Sequence, residues 1–329
     1  MSNSKILLIA PSWLGDFVIS LSLINALKQD NKNIQIDLLV NENLYDIAKL
    51  TPNISNIIVT KTKHGKLSFF YRLQLGLKLK KNNYSKCYVL TNSLKSSLIP
   101  FFAGIKKRIG YLGESRYGLI NTIVKNIDRS KGMVNRYLNL IDKTYSTDFS
   151  PTIDTELNLE SLSNIYGFNK KYIVLCPDAE YGSAKKWPLE RWIELSKKLI
   201  PDYQVLFVGL DSSIKNSIEE INSKDILNLI GKTNLVDVIN IINHAHCVVS
   251  NDSGLMHVSA ALDSPIIAIF GSSSPHYTPP LVRDDKRAIV YKELECSPCY
   301  KRTCPLGHTN CLNMISAEDV YEEFKKLTK

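Results

Sequence analysis

What this sequence lacks removes several classes of protein. No stretch approaches the roughly 20 apolar residues needed to span a bilayer, so no transmembrane helix is expected. The apolar run Lys5–Ala10 is short, has no basic cluster before it and soon meets Gly15-Asp16, so it does not read as an export signal. Seven cysteines among 329 residues make no disulfide scaffold, and the odd count fits a reducing, cytoplasmic compartment. There is no G-x-G-x-x-G after the first strand candidate and no G-x-x-x-x-G-K-[ST], which weakens a dinucleotide-dependent oxidoreductase and a P-loop NTPase alike. Internal repeats, low-complexity segments and nucleic-acid recognition motifs are also missing.

What is present suits two α/β domains. The chain is long enough for two cores, and 44% hydrophobic with 22% charged residues is ordinary for a globular protein. Short apolar runs alternate with amphipathic ones, as βα units around parallel sheets do. In the first half, strands are expected at Lys5–Ala10, Ile34–Val40, Ile57–Val59, Lys86–Leu90 and Lys107–Gly110. Helices are expected at Phe17–Gln29, Leu67–Lys81, Leu94–Ala103 and Met133–Thr144. Tyr145–Lys171 loses the rhythm and holds Ser150-Pro151, which places the linker there and the domains at 1–155 and 156–329. In the second half, strands are expected at Tyr172–Cys176, Gln204–Val208, Cys247–Ser250 and Ile266–Phe270. Helices are expected at Leu189–Leu199, Leu235–Asn243, Gly254–Leu262 and Ala317–Leu327. Two doubly wound domains facing a central cleft would bind ligands at the carboxyl ends of their strands.

Charge divides unevenly between the halves. Residues 1–150 hold 22 Lys and Arg against 9 Asp and Glu, a net +13, whereas residues 151–329 hold 19 against 23, a net −4. A compositional bias of the genome would load both halves alike. The asymmetry points to an anionic partner on the first half: a phosphorylated sugar, an anionic membrane or nucleic acid.

Four local patterns could carry chemistry. Asp16 follows the first strand and opens a helix, so its carboxylate suits a general base and equally a helix start. Asn251-Asp-Ser-Gly-Leu-Met-His257 again follows a strand and opens a helix, a cradle for a diphosphate in which Asp252 or Ser253 could also be a plain cap and His257 a core residue. Lys185, in Gly182-Ser-Ala-Lys-Lys-Trp-Pro188, is a mobile point charge for a phosphate, or a solvated lysine before a helix. Cys296, Cys299, Cys304 and Cys311 could enclose a zinc ion, but their spacing is not that of a zinc ribbon, and reduced thiols are expected.

Taken together, Ala10-Pro-Ser-Trp-Leu-Gly-Asp16, Gly110–Asn121, Lys185-Lys-Trp-Pro188, Ser250–Ala261, Phe270-Gly-Ser-Ser-Ser-Pro275 with Thr278-Pro-Pro280, and Cys296–His308 resemble glycosyltransferase family 9 over nearly the whole chain. The resemblance implies a GT-B fold of two Rossmann-like domains and an inverting transferase requiring no metal or other cofactor. The reaction it implies moves L-glycero-D-manno-heptose from ADP-heptose to the first heptose of the lipopolysaccharide inner core on Kdo-lipid A. Asp16 would be the base and Lys185 the cation at the diphosphate. The donor would meet Ser12, Gly15, Asp252, Ser253, Gly254, Leu255 and His257. Asp211 stands where relatives often carry a glutamate near the ribose. Lys61, Lys63, Arg108, Glu114 and Arg116 are the candidates for the acceptor. The enzyme would work as a peripheral protein on the inner face of the inner membrane, without nucleic acid. Alternatives are transfer to another core position, a nucleotide-sugar epimerase on the same scaffold, or a basic nucleic-acid binder.

Overall fold

The computed structural model describes residues 4–62, 65–125, 129–155, 159–221 and 223–329. The chain divides into two units, Met1–Thr152 and Ile153–Lys329, a few residues before the boundary read from the sequence. The side chain of Thr155 is already held by Asn243 of the second unit, 3.3 Å away.

The first unit is built on strands β1 (Lys5–Ile9), β2 (Gln35–Asn41), β3 (Asn56–Thr60), β4 (Lys86–Val89), β5 (Lys107–Gly110) and β6 (Thr122–Ile123). They lie in the order β3-β2-β1-β4-β5-β6, every neighbouring pair parallel. Helices α1 (Leu14–Asp30), α2 (Tyr45–Lys49), α3 (Phe69–Lys80), α4 (Leu98–Phe102) and α5 (Gly132–Leu138) connect them. β1 reads Lys-Ile-Leu-Leu-Ile because a central parallel strand is covered on both faces and has no polar side to present. α1 is buried almost all round, from Phe17 to Ile24 without a break, since it lies between the sheet and α5. Among the described residues, one carboxylate enters this core: Asp37 on β2 is satisfied by the Lys5 ammonium at 3.0 Å, the Tyr84 hydroxyl at 2.7 Å and the Asn56 amide at 2.8 Å.

The second unit repeats the plan with β7 (Tyr172–Cys176), β8 (Gln204–Phe207), β9 (Ile226–Asn228), β10 (Cys247–Asn251), β11 (Ile266–Phe270) and β12 (Arg287–Tyr291), in the order β12-β11-β10-β7-β8-β9 and again all parallel. Its helices are α6 (Leu159–Tyr166), α7 (Leu189–Leu199), α8 (Lys215–Glu219), α9 (Leu235–Asn243), α10 (Gly254–Ala261), α11 (Asn310–Asn313) and α12 (Ala317–Leu327). Every residue of β7, β10 and β11 is buried. α7 turns Trp192, Leu195 and Leu199 inward at helical spacing, and the Trp192 ring packs edge-on against Trp187 at 5.1 Å. α12 begins with a reciprocal capping box between Ser316 and Asp319.

Several boundaries differ from the sequence reading, each for a local reason. The helix expected over Leu94–Ala103 is a 3-10 turn, Leu94–Ser97, followed by α4; restarting the helix puts Pro100 in its first turn, where a missing N–H costs nothing. The helix expected over Met133–Thr144 ends early, through a 3-10 turn that closes on left-handed Asp142. α6 lies inside the expected linker and buries Leu162. The strands missed, β6, β9 and β12, have two to five residues and are only partly buried, so they lack the solid apolar run of a central strand.

Candidate active site

In each sheet the chain order reverses once, between β1 and β4 in the first unit and between β7 and β10 in the second. Doubly wound sheets bind ligands outside the carboxyl ends of the strands at such points. The sequence motifs fall there.

In the first unit, β1 runs through Ala10–Ser12 into α1. Trp13 is the N-cap residue, with extended backbone and no side-chain cap bond. Asp16 is therefore the third residue of α1 rather than its N-cap, half-buried at the end where the helix dipole favours a carboxylate. Gly15 precedes it, and the exposed Ser12 hydroxyl accepts a 2.9 Å hydrogen bond from Asn41 at the end of β2.

Three of the acceptor candidates of this unit, Arg108, Glu114 and Arg116, are engaged by their own loop. Arg116 is fully buried. Its guanidinium donates to the carbonyls of Leu112 (3.2 Å), Ser93 (3.2 Å) and Tyr111 (2.5 Å) and to Ser96 Oγ (3.3 Å). Burial lowers its pKa to about 10. Arg108 donates to the carbonyls of Leu119 (2.6 Å), Ile105 (2.6 Å) and Gly118 (2.8 Å). Glu114 accepts the backbone N–H of Leu94 at 2.8 Å and so starts the 3-10 turn. The three side chains fold the loop between β5 and β6; the Arg116 guanidinium is buried in it, whereas that of Arg108 is half-buried and donates three bonds to the loop. Gly113 in that loop is left-handed, and a Cβ there would stand 2.2 Å from the Asn92 carbonyl, so only glycine fits. Lys61 is 73% exposed and only 3.7 Å from Glu42, a loose surface pair. Lys63 lies outside the described residues.

In the second unit, β10 delivers Asn251-Asp252 to the start of α10. Ser253 is the N-cap residue, but its side chain makes no cap bond; its Oγ lies 3.3 Å from Ser250 Oγ. The N–H groups of Gly254 and Leu255 open the first turn, where amides have no intrahelical partner and the dipole attracts an anion. Beside them Lys185 Nζ meets Asp252 Oδ2 at 2.5 Å, with side chains only 17% and 4% exposed. Ser273, in the loop after β11, donates to the same oxygen. Lys185 also lies 5.1 Å over the Tyr181 ring. His257 is buried, and among the described residues its Nδ1 has no hydrogen-bond partner. Burial pushes its pKa down to about 4, so the imidazole is neutral at physiological pH.

Asn251 holds this arrangement and was not singled out in the sequence. Its amide donates to the Pro177 carbonyl after β7 at 2.6 Å and accepts the Trp187 N–H at 3.1 Å, tying three loops together. Trp187 is anchored in turn by its indole N–H on the Ile315 carbonyl at 2.9 Å. Thus Lys-Trp-Pro188 is a fixed support for Lys185, not a solvated turn. The available signal for Asn251 and Ser273 was their place inside motifs that end buried strands.

Asp211, the candidate for the ribose, pairs with Lys186 and accepts from Ser213 N at 3.0 Å and Ser213 Oγ at 2.6 Å. The Lys186 ammonium, then Ser213, holds its carboxyl down at about 2. Its loop is braced by Asp178, which accepts the N–H groups of Leu210 and Asp211. Because the folded pKa lies below the ordinary 3.8, this carboxylate stabilises the fold above about pH 4 and loses that contribution as pH falls towards 2. Asp211→Asn is therefore expected to be less stable than the parent at neutral pH. Urea titrations should show the gap closing between pH 4 and pH 2; a gap independent of pH would contradict the pairing.

Cys296, Cys299 and Cys304 are half-buried, Cys311 is buried, and all four are free thiols. Among the described residues, no group of three or more His, Cys, Asp or Glu is placed to hold a metal ion. Nor, among them, is any helix long and apolar enough to cross a membrane.

Comparison with known proteins gives this geometry a family. Residues 72–310 match glycosyltransferase family 9 (heptosyltransferase). The chain is 38% identical to lipopolysaccharide heptosyltransferase 2 of Escherichia coli K12 over 98% of both proteins, and 36% identical to lipooligosaccharide heptosyltransferase 2 of Haemophilus influenzae over 87% and 88%. It superposes on the solved ADP-heptose LPS heptosyltransferase II of E. coli with a TM-score of 0.84, at 32% identity over 98% of each chain. An enzyme with two parallel α/β units of the GT-B kind, this chain belongs to glycosyltransferase family 9, the heptosyltransferase family.

Proposed function

We propose that the protein transfers L-glycero-D-manno-heptose from ADP-heptose to the first heptose of the lipopolysaccharide inner core, on a Kdo-lipid A anchor. The observation that carries the donor half is the anion cradle of the second unit, where the open N-terminus of α10 and the Lys185 ammonium stand beside Asp252. The likeness to heptosyltransferase 2 proteins over most of the chain supports the choice of sugar and acceptor.

In this reading Ile153–Lys329 holds the donor and Met1–Thr152 the lipid-linked acceptor. Asp16 takes the proton from the attacking hydroxyl, which displaces ADP from the anomeric carbon in one step and inverts it. As the glycosidic bond breaks, negative charge grows on the diphosphate. Lys185 and the amides of Gly254 and Leu255 are fixed in advance for that charge, the electrostatic form of catalysis. Ser12 and Gly15 complete the donor contacts, His257 supplies a neutral imidazole near the sugar, and Asp211 faces the ribose. With positive charge supplied by the chain itself, the reaction needs no metal or other cofactor.

The acceptor carries carboxylates and phosphates in an anionic leaflet, and the net +13 of residues 1–150 complements it. The enzyme works peripherally, on the cytoplasmic face of the inner membrane. The test is which core acceptor the purified protein extends from ADP-heptose, with EDTA present.

A further inference from the structure

From Ile47 to Gly113 the sequence has thirteen Lys and Arg and not one Asp or Glu, the longest stretch of the chain free of carboxylates. In the fold this stretch supplies α3 and α4. α3 turns Arg72, Gly76 and Leu79 inward, and a Cβ on Gly76 would lie 2.6 Å from Phe102 Cβ, so the two helices touch backbone to side chain. Arg72, whose Nε donates to the Leu67 carbonyl at 2.8 Å, is part of this inner face and not of the surface.

The outer face of α3 departs from the polar face expected of a globular helix. Phe70 is 76% exposed and Leu77, two turns further on the same side, is 54% exposed. Leu67, just ahead of the helix, is 51% exposed. From Phe70 the apolar surface continues through rings packed edge to face: Phe70 to Phe69 at 5.6 Å, Phe69 to Phe102 at 5.5 Å, and Phe102 to Phe101 at 5.6 Å on α4. Phe101 is again exposed, at 43%. Around this patch stand the exposed Lys66, Lys78, Lys81 and Lys106, none of which pairs with a carboxylate among the described residues.

A contiguous exposed apolar patch marks an interaction site. Large apolar side chains rimmed by lysines fit the boundary between headgroups and acyl chains of an anionic bilayer. Nucleic acid fits less well, because leucines offer no stacking face and the rings present edges to one another. A second copy would set two lysine-rich faces of like charge together. We propose that the α3–α4 face seats the protein on an anionic phospholipid leaflet, with Leu67, Phe70, Leu77 and Phe101 entering the headgroup boundary and the lysines meeting phosphates. The proposal rests on the reading that the acceptor is anchored in a lipid leaflet.

Flotation of the full-length protein with vesicles of phosphatidylethanolamine and phosphatidylglycerol, against phosphatidylcholine alone, tests it. Binding should require the anionic lipid and weaken with salt, each basic residue at the surface contributing roughly five-fold. The pair Phe70→Ser with Leu77→Ser, and separately Lys78→Gln with Lys81→Gln, should each lower the partition coefficient at least about tenfold. Because all four side chains are exposed, the melting temperature should hold. Emission of a Phe70→Trp variant should shift to the blue with anionic vesicles only. Four results would each overturn the proposal: equal binding to both vesicle types, paired variants that bind like the parent, preferential capture by single-stranded DNA, or a lipid-free dimer in which the Phe70→Trp emission is already shifted. A water-soluble, deacylated core acceptor separates this face from the catalytic reading, since the variants should use it at the parent rate. If the parent protein itself fails on that acceptor, the functional reading falls while the vesicle result stands.

Discussion

Asp16→Asn is expected to lower the rate of heptose transfer by roughly 10²–10⁴-fold, or about 3–5 kcal/mol in the barrier, while ADP-heptose binding changes little. The substitution keeps the shape of the side chain and removes its capacity to take a proton. Asp16 is the third residue of α1 and Trp13 is the cap, so a purely structural role for the carboxylate here would include a favourable interaction with the helix dipole. That interaction is worth about 0.3–1 kcal/mol of stability and would leave turnover close to the parent value. Steady-state kinetics, calorimetry with ADP and a thermal melt on the same variant separate the two. A variant that melts earlier but transfers heptose at the parent rate would remove Asp16 from the mechanism.

The second large effect is at Lys185. Lys185→Met should weaken ADP binding and cut turnover by roughly 10²–10³-fold, the loss typical of one preorganised group at developing negative charge. It should also destabilise the fold, because Asp252, 4% exposed, would lose its cation and, among the described residues, keep only Ser273 as a side-chain partner. Removing one partner of a buried pair costs about 3–5 kcal/mol, and the 17% exposure of Lys185 places this pair at the lower end. Stability and catalysis are separated by adding Asp252→Asn, which removes the stranded charge. The double variant should melt closer to the parent and remain slow. Turnover recovering together with stability would mean that Lys185 acts only as a structural counter-ion.

These two residues also show what could be read in the sequence. The central strands were legible because a parallel strand covered on both faces is a solid apolar run, as in β1, β7 and β11. The turns after β1 and β10 were legible because small polar residues followed such runs and helices followed them. The edge strands β6, β9 and β12 were not, since half-buried short segments carry no such pattern. Charge alone did not show where a cation points. Arg108 and Arg116 were candidates for the acceptor, and their guanidiniums donate to three and four oxygens of the surrounding loops, Arg116 fully buried; only the folded chain brings those oxygens together. Asn251 escaped notice for the same reason, because its partners Pro177 and Trp187 lie 74 and 64 residues away. The exposed Phe70 and Leu77 looked like ordinary helix positions until their outward direction was known.

The central claim is heptose transfer onto the first heptose of the core. It is tested most directly by incubating the purified protein with ADP-heptose and Kdo-lipid A acceptors that carry no heptose or one heptose, in EDTA, and weighing the products by mass spectrometry. The account predicts that the acceptor with one heptose gains a single further heptose with release of ADP, that the acceptor with none is left unchanged, and that Asp16→Asn forms almost no product. Extension of the bare Kdo-lipid A, or no extension of the heptose-bearing acceptor by a protein that binds ADP, would contradict it.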